Sequence, residues 1–169
     1  MCMENSNILL SGSGRSHWLA LALFLAATFL VAGISTLFTV PSIPTWYAQL
    51  TKPSFNPPNE VFGPAWTLLY FLMAIAAWLV WKQPISQLRS QALLLFWVQL
   101  GLNFAWSLLF FRAHLIAFAL VDILLLWVMI ALTGIRFFRL KKSAGWMFLP
   151  YFAWVSFASI LNLAIWRLN

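Results

Sequence analysis

Five apolar stretches fill most of this chain, each close to the ~20 residues that a helix needs to cross a bilayer. They run from about Trp18 to Val40, Val61 to Trp81, Gln91 to Phe111, Leu115 to Ile135 and Gly145 to Trp166. Inside a bilayer every backbone N–H and C=O must be satisfied internally, which leaves helices and closed barrels. Barrel strands alternate with period two, and no such alternation is present. The sequence therefore predicts an all-α fold: a polytopic membrane protein with a bundle of five transmembrane helices, one domain over residues 1–169.

Composition agrees. Of 169 residues, 63% are apolar and 8% charged, against about 45–50% and about 25% in ordinary soluble domains. A water-soluble globule and a disordered chain are both excluded. The first span follows Arg15 and could be read as a signal peptide, but it exceeds the usual core of ~7–15 residues and no small-x-small cleavage site bounds it. It is read as a retained helix.

The formal charge of +7 comes from scattered loop residues and forms no dense basic stripe, so no nucleic-acid partner is expected. Arg15, Lys82, Arg89, Arg136, Arg139, Lys141 and Lys142 fall on one side of the predicted bundle, and Lys52, Arg112 and Arg167 on the other. Seven against three places the N-terminus in the cytoplasm of a bacterial-type cell membrane. Cys2, the single cysteine, excludes an internal disulfide and a cysteine-based metal cluster.

The longest connection, residues 41–60, carries Pro41, Pro44, Pro53, Pro57 and Pro58 with Trp46, Tyr47 and Phe55. A flexible linker would be rich in Gly and Ser. Proline-stiffened backbone with large apolar side chains reads as a lid over one end of the bundle, or as an interfacial loop anchored by its aromatics.

Polar and small residues indicate which helix faces meet. Gln99, Asn103, Trp106 and Phe110 share one face, and the two amides must find partners there. They either bind a ligand or fasten neighbouring helices. Gly101 and Ala105 form a small-xxx-small pair suited to intramolecular packing or to a dimer. Trp66, Tyr70 and Met73 line one stripe, and Tyr151, Trp154, Ala158 and Asn162 another. Each stripe alone reads as core. With alternating helix direction, Trp66, Asn103–Phe110 and Ala158–Asn162 all fall in the half of the membrane beneath the proline-rich loop. Convergent aromatic faces and polar tips describe a pocket for a large, flat, mostly apolar ligand.

Asp122, within the fourth span, is a structural hydrogen-bonding group or a functional carboxylate. His17 and His114 lie at membrane edges without companion ligands, so no metal site is expected. No nucleotide-binding or hydrolase motif occurs, and Glu4, Glu60 and Asp122 are too dispersed for an acid–base pair. Of the eleven tryptophans, Trp18, Trp81, Trp146 and Trp166 are read as interfacial anchors, and Trp78, Trp97 and Trp127 as bundle packing. Trp46, Trp66, Trp106 and Trp154 are expected to converge under the loop.

Several runs resemble the tryptophan-rich sensory protein and translocator protein (peripheral benzodiazepine receptor) family. They are Trp46-Tyr47-Ala48 with Lys52-Pro53-Ser54 and Asn56-Pro57-Pro58, Gly63-Pro64-Ala65-Trp66, Gln99 to Trp106, Ala119-Leu120-Val121-Asp122, and Pro150-Tyr151 to Trp166-Arg167. The resemblance implies five packed helices, commonly a homodimer in membrane lipid, with a pocket below the first loop. It implies porphyrin, haem and other flat apolar small molecules as ligands, with no cofactor required. Carried over by motif, Trp46, Tyr47, Trp66, Asn103, Trp106, Trp154 and Ala158 would bind the ligand. Trp66 and Trp154 match tryptophans implicated in light- and oxygen-dependent porphyrin breakdown in some members, and are the only catalytic candidates.

A receptor for tetrapyrroles in porphyrin homeostasis and stress signalling is the function expected from this resemblance, with transport and photo-oxidative degradation as alternatives. Phe55 and Glu60 stand where many members have tryptophan, and Leu163 stands where the family's proposed cholesterol motif needs tyrosine. Cholesterol is therefore not an expected ligand.

Overall fold

In a computed structural model, backbone is described for residues 6–169 and side chains from Ser16 onward. Cys2, Glu4 and the side chain of Arg15 lie outside the described residues. The helices are α1 (Ser6–Ser42), α2 (Asn59–Trp81), α3 (Gln87–Ser107), α4 (Ile116–Leu140) and α5 (Lys142–Leu168). There are no strands among the described residues. All five helices are long and apolar enough to cross a membrane.

The first helix does not stop at Pro41. It runs on through Ser42 into a π-helical turn, Ile43–Tyr47, before the chain bends at Leu50. Pro41 and Pro44 each lack an N–H, and a proline ring crowds the preceding carbonyls. Widening the turn accommodates them without ending the helix. About half of the expected loop is thus helical, and the irregular stretch is confined to residues 50–58. A second π-turn, Leu108–Arg112, extends α3. The two wide turns meet: the Ser42 hydroxyl, which also lies 3.0 Å from the Phe38 carbonyl, donates to the Phe111 carbonyl at 2.8 Å.

α4 packs most extensively against α5 and α3, while α1 lies mainly against α2. Ala74, Ala76 and Ala77 on α2 are fully buried, small enough to bring helix backbones close. Met73, Phe96, Ile130, Phe137, Phe148, Tyr151 and Val155 fill the space between α2, α3, α4 and α5. α4 and α5 are separated by Lys141 alone. So tight a turn requires Gly145, where a Cβ would lie 2.6 Å from Phe138 Cα.

The expected anchor tryptophans Trp18, Trp146 and Trp166 are exposed on the outside of the bundle. Trp78 and Trp127 pack inward, their indoles donating to the His17 carbonyl (2.9 Å) and the Ser156 hydroxyl (2.8 Å). Trp97 stacks on Phe24 but keeps one side outward.

Candidate functional site

A cavity of about 400 Å³ lies at the end of the bundle that carries residues 50–58, between α1, α2, α3 and α5. Of the seven residues expected to bind a ligand, Tyr47, Trp66, Asn103, Trp106, Trp154 and Ala158 line it. Trp46 does not. Successive residues of a helix point roughly 100° apart, and the turn that brings Tyr47 to the wall leaves Trp46 off it. Trp46 instead stacks on His114 at 4.1 Å, with its edge against Phe110. His114 holds a positive φ of 57° in the α3–α4 turn, which sets its ring beside that indole.

The cavity floor is a hydrogen-bonded cluster joining three helices. The Tyr70 hydroxyl donates to Asn103 Oδ1, and Asn103 Nδ2 donates to the Tyr151 hydroxyl at 3.1 Å. Tyr151 in turn donates to Gln99 Oε1 at 2.9 Å. Gln99 is fully buried beneath the cavity and fastens helices, with Nε2 3.7 Å from Met73 Sδ. Asn103 does both things that the sequence left open: it faces the cavity and ties α3 to α2 and α5.

Trp106 donates its indole N–H to Asn162 Oδ1 at 3.0 Å, and Asn162 Nδ2 reaches the Ile116 carbonyl at 3.1 Å. The Trp106 ring stacks on Phe110 at 5.2 Å. Trp66 packs against Tyr70 and edge-on to Tyr151. Trp154 meets Phe62 and Phe157, but its buried indole N–H has no partner. The buried Ser35 hydroxyl, on the α1 side, lies next to the Tyr70 hydroxyl, which is already committed to Asn103. A buried donor without an acceptor is costly, and both atoms lie sealed behind the wall rather than open to the cavity.

The contribution of α1 was missed from sequence. Ala32, Ser35, Thr36, Thr39 and Ile43 line the cavity. Their i, i+3, i+4, i+7, i+11 spacing is a helical stripe that could have been read from the hydroxyl pattern. The wall is incomplete between α1 and α2, where Phe29, Val40, Gly63 and Thr67 also reach the outer surface.

The described wall contains no His, Cys or Met, and the Tyr47 and Tyr70 hydroxyls are engaged with Asn56 and Asn103. Iron would find no ready axial ligand here. A tetrapyrrole would be held through its ring by stacking and apolar contact. Asp122 lies outside the cavity, buried on α4, with Oδ2 unpartnered.

The match to known proteins is extensive. Residues 20–167 match the TspO/MBR family. The chain belongs to the TspO/MBR family. It is 42% identical over 151 residues to the tryptophan-rich protein TspO of Archaeoglobus fulgidus, covering 89% of this chain and 97% of that one. The human translocator protein is 40% identical over 126 residues, covering 73% of this chain and 75% of its own. The tryptophan-rich sensory protein of Cereibacter sphaeroides is 41% identical over 126 residues, covering 73% and 77%. With five spanning helices, this TspO/MBR member is an integral, multi-pass membrane protein.

Proposed function

We propose that this TspO/MBR protein is a membrane receptor that binds porphyrins, haem and similar flat apolar molecules in the cavity below residues 50–58, serving porphyrin homeostasis and stress signalling. The cavity itself carries the reading. It is concave, within the ~300–1,000 Å³ typical of small-molecule sites, and its wall joins Trp66, Trp106 and Trp154 with few polar groups. Aromatic faces suit a planar ring. The lack of a soft or imidazole ligand favours recognition of the ring over the metal.

The protein would sit in a bacterial-type cell membrane with its N-terminus cytoplasmic, as the Lys/Arg distribution suggests. A homodimer belongs to the same proposal. Gly101 is exposed beside Leu94, Trp97 and Val98, leaving an outward face that a second copy or lipid can cover.

Two observations support further readings. The gap between α1 and α2 gives a lateral route from lipid, which favours transport. Trp66 and Trp154 both line the cavity, which favours tryptophan-dependent photo-oxidation of a bound porphyrin. Illuminating protoporphyrin IX with the purified protein, Trp66→Phe and Trp154→Phe separates them. Binding with no protein-dependent product supports the receptor, and a product lost in both variants supports degradation. Porphyrin flux into sealed proteoliposomes above protein-free vesicles supports transport.

A further inference from the structure

Within the described cavity wall, Glu60 is the one charged residue, exposed in the first turn of α2. No cation lines the interior. A carboxylate drawn into such a wall would lose its water and find no opposite charge, a costly combination. Any acidic group on the ligand must therefore remain at the mouth.

A suitable cation lies next to the wall. Lys52, in the irregular stretch between the wall residues Tyr47 and Asn59, places Nζ 4.8 Å from the ring centroid of Tyr47. Its hydrogen bonds go only to the Ala48 and Leu50 carbonyls, at 3.4 and 3.3 Å. An ammonium has three N–H donors, so one remains for a partner on a flexible stem. Arg112 and Arg167 end their helices on the same side of the bundle and add positive potential there. Glu60 opposes it from the wall.

We infer that Lys52 and Glu60 sort ligands by charge at the cavity mouth, so that the site takes a flat apolar body whose carboxylates lie along one edge, with that edge held outside against Lys52. The inference rests on the tetrapyrrole reading and specifies its chemistry. A molecule with acidic groups on opposite edges cannot satisfy it, because one edge would be forced into the uncharged interior.

Protoporphyrin IX and its dimethyl ester share a ring and differ in the charge of one edge. Tryptophan quenching by each is measured with the wild-type protein, Lys52→Gln and Glu60→Gln. Lys52→Gln weakens the free acid about threefold to fivefold, the scale of an exposed ion pair, and leaves the ester unchanged. Glu60→Gln tightens the free acid by a similar factor and moves the ester less, since Glu60 is also a wall residue. Added salt shrinks both effects on the acid. Saturable ester binding, with a thermal unfolding midpoint equal to wild type, reports that each variant is folded with its cavity intact. Equal effects on acid and ester, or none on the acid, overturn the charge-sorting inference while the tetrapyrrole reading stands. Failure of both porphyrins to bind the wild type overturns the two together.

Discussion

Asn169 clasps Thr51: its Oδ1 accepts from the Thr51 N–H at 2.9 Å, and its Nδ2 donates to the Thr51 carbonyl at 3.1 Å. A side-chain amide paired in this way imitates a neighbouring strand and ties residues 50–58, which join the wall residues Tyr47 and Asn59, to the end of α5. The same Nδ2 also reaches the Ile165 carbonyl at 2.8 Å, so the clasp is anchored to its own helix. Within this stretch, Asn56 Oδ1 accepts from the Tyr47 hydroxyl at 2.7 Å and Phe55 meets Phe157 edge-on.

Breaking this clasp frees the stretch without disturbing the bundle. Asn169→Ala removes hydrogen bonds worth about 0.5–1.5 kcal/mol each. Amide hydrogen exchange over residues 50–58 then accelerates while exchange within α2–α5 stays unchanged. Bound ligand dissociates about threefold to tenfold faster. Exchange at wild-type rates over residues 50–58 would mean that Tyr47, Asn56 and Phe55 hold the stretch alone.

The floor cluster makes a stability prediction. Tyr151→Phe removes the acceptor for Asn103 Nδ2 and the donor for Gln99 Oε1, leaving two buried amides short of a partner. Hydrogen bonds between membrane helices average about 0.6 kcal/mol, with larger costs where a group is stranded. The expected loss is about 1–3 kcal/mol, read as a lower midpoint of thermal unfolding in detergent. A midpoint equal to wild type would show that the cluster contributes nothing net.

Two glycines predict opposite outcomes for the same substitution. Gly145→Ala drives a methyl into Phe138, where Cα and Cβ lie 2.6 and 2.5 Å from the new atom. Backbone must move, at a cost of about 1–3 kcal/mol. Gly101→Ala meets no atom within 4 Å in the single chain and leaves its stability unchanged or slightly raised. Thermal unfolding of the two variants checks the contrast, and equal midpoints would contradict the close approach of α4 and α5.

Trp46 and Trp66 divide in the same manner. Trp66 lines the cavity and Trp46 packs on His114 outside it. Trp66→Leu weakens porphyrin binding about threefold to tenfold, the scale of lost aromatic contact. Trp46→Leu leaves affinity within about twofold and loosens the α3–α4 turn, seen by hydrogen exchange at residues 113–115. A larger effect of Trp46 than of Trp66 on affinity would place the ligand elsewhere.

The membrane fold was legible because five apolar runs and a handful of charges leave a chain little choice. Much of the site was legible too, since Asn103, Trp106, Trp154 and Ala158 are rare polar or bulky groups at helical spacing on inward faces. Trp46 was misplaced because its position depends on which residue of a wide π-turn points inward, a rotation that spacing alone does not specify. The prolines marked the right place but suggested a stop where the helix only widens. The α1 stripe escaped notice because Ser35 and Thr39 differ little from the apolar background in size and can satisfy themselves on their own helix, as Thr39 does with the Ser35 carbonyl at 2.9 Å. The Asn169 clasp joins positions 118 residues apart and has no local signature.

The most direct test of a ligand cavity beneath residues 50–58 is to fill it and ask whether porphyrin still binds. Ala158 lines the wall on α5 beside Trp154 and is half-buried, so Ala158→Phe projects a ring into the space. Quenching of tryptophan fluorescence by protoporphyrin IX is titrated at micromolar concentration with wild-type and Ala158→Phe proteins of matched thermal stability. Saturable quenching in the wild type that is lost or weakened at least about tenfold in the variant is the expected result. Absence of quenching in the wild type, or equal titrations for the two proteins, would contradict the cavity as the tetrapyrrole site.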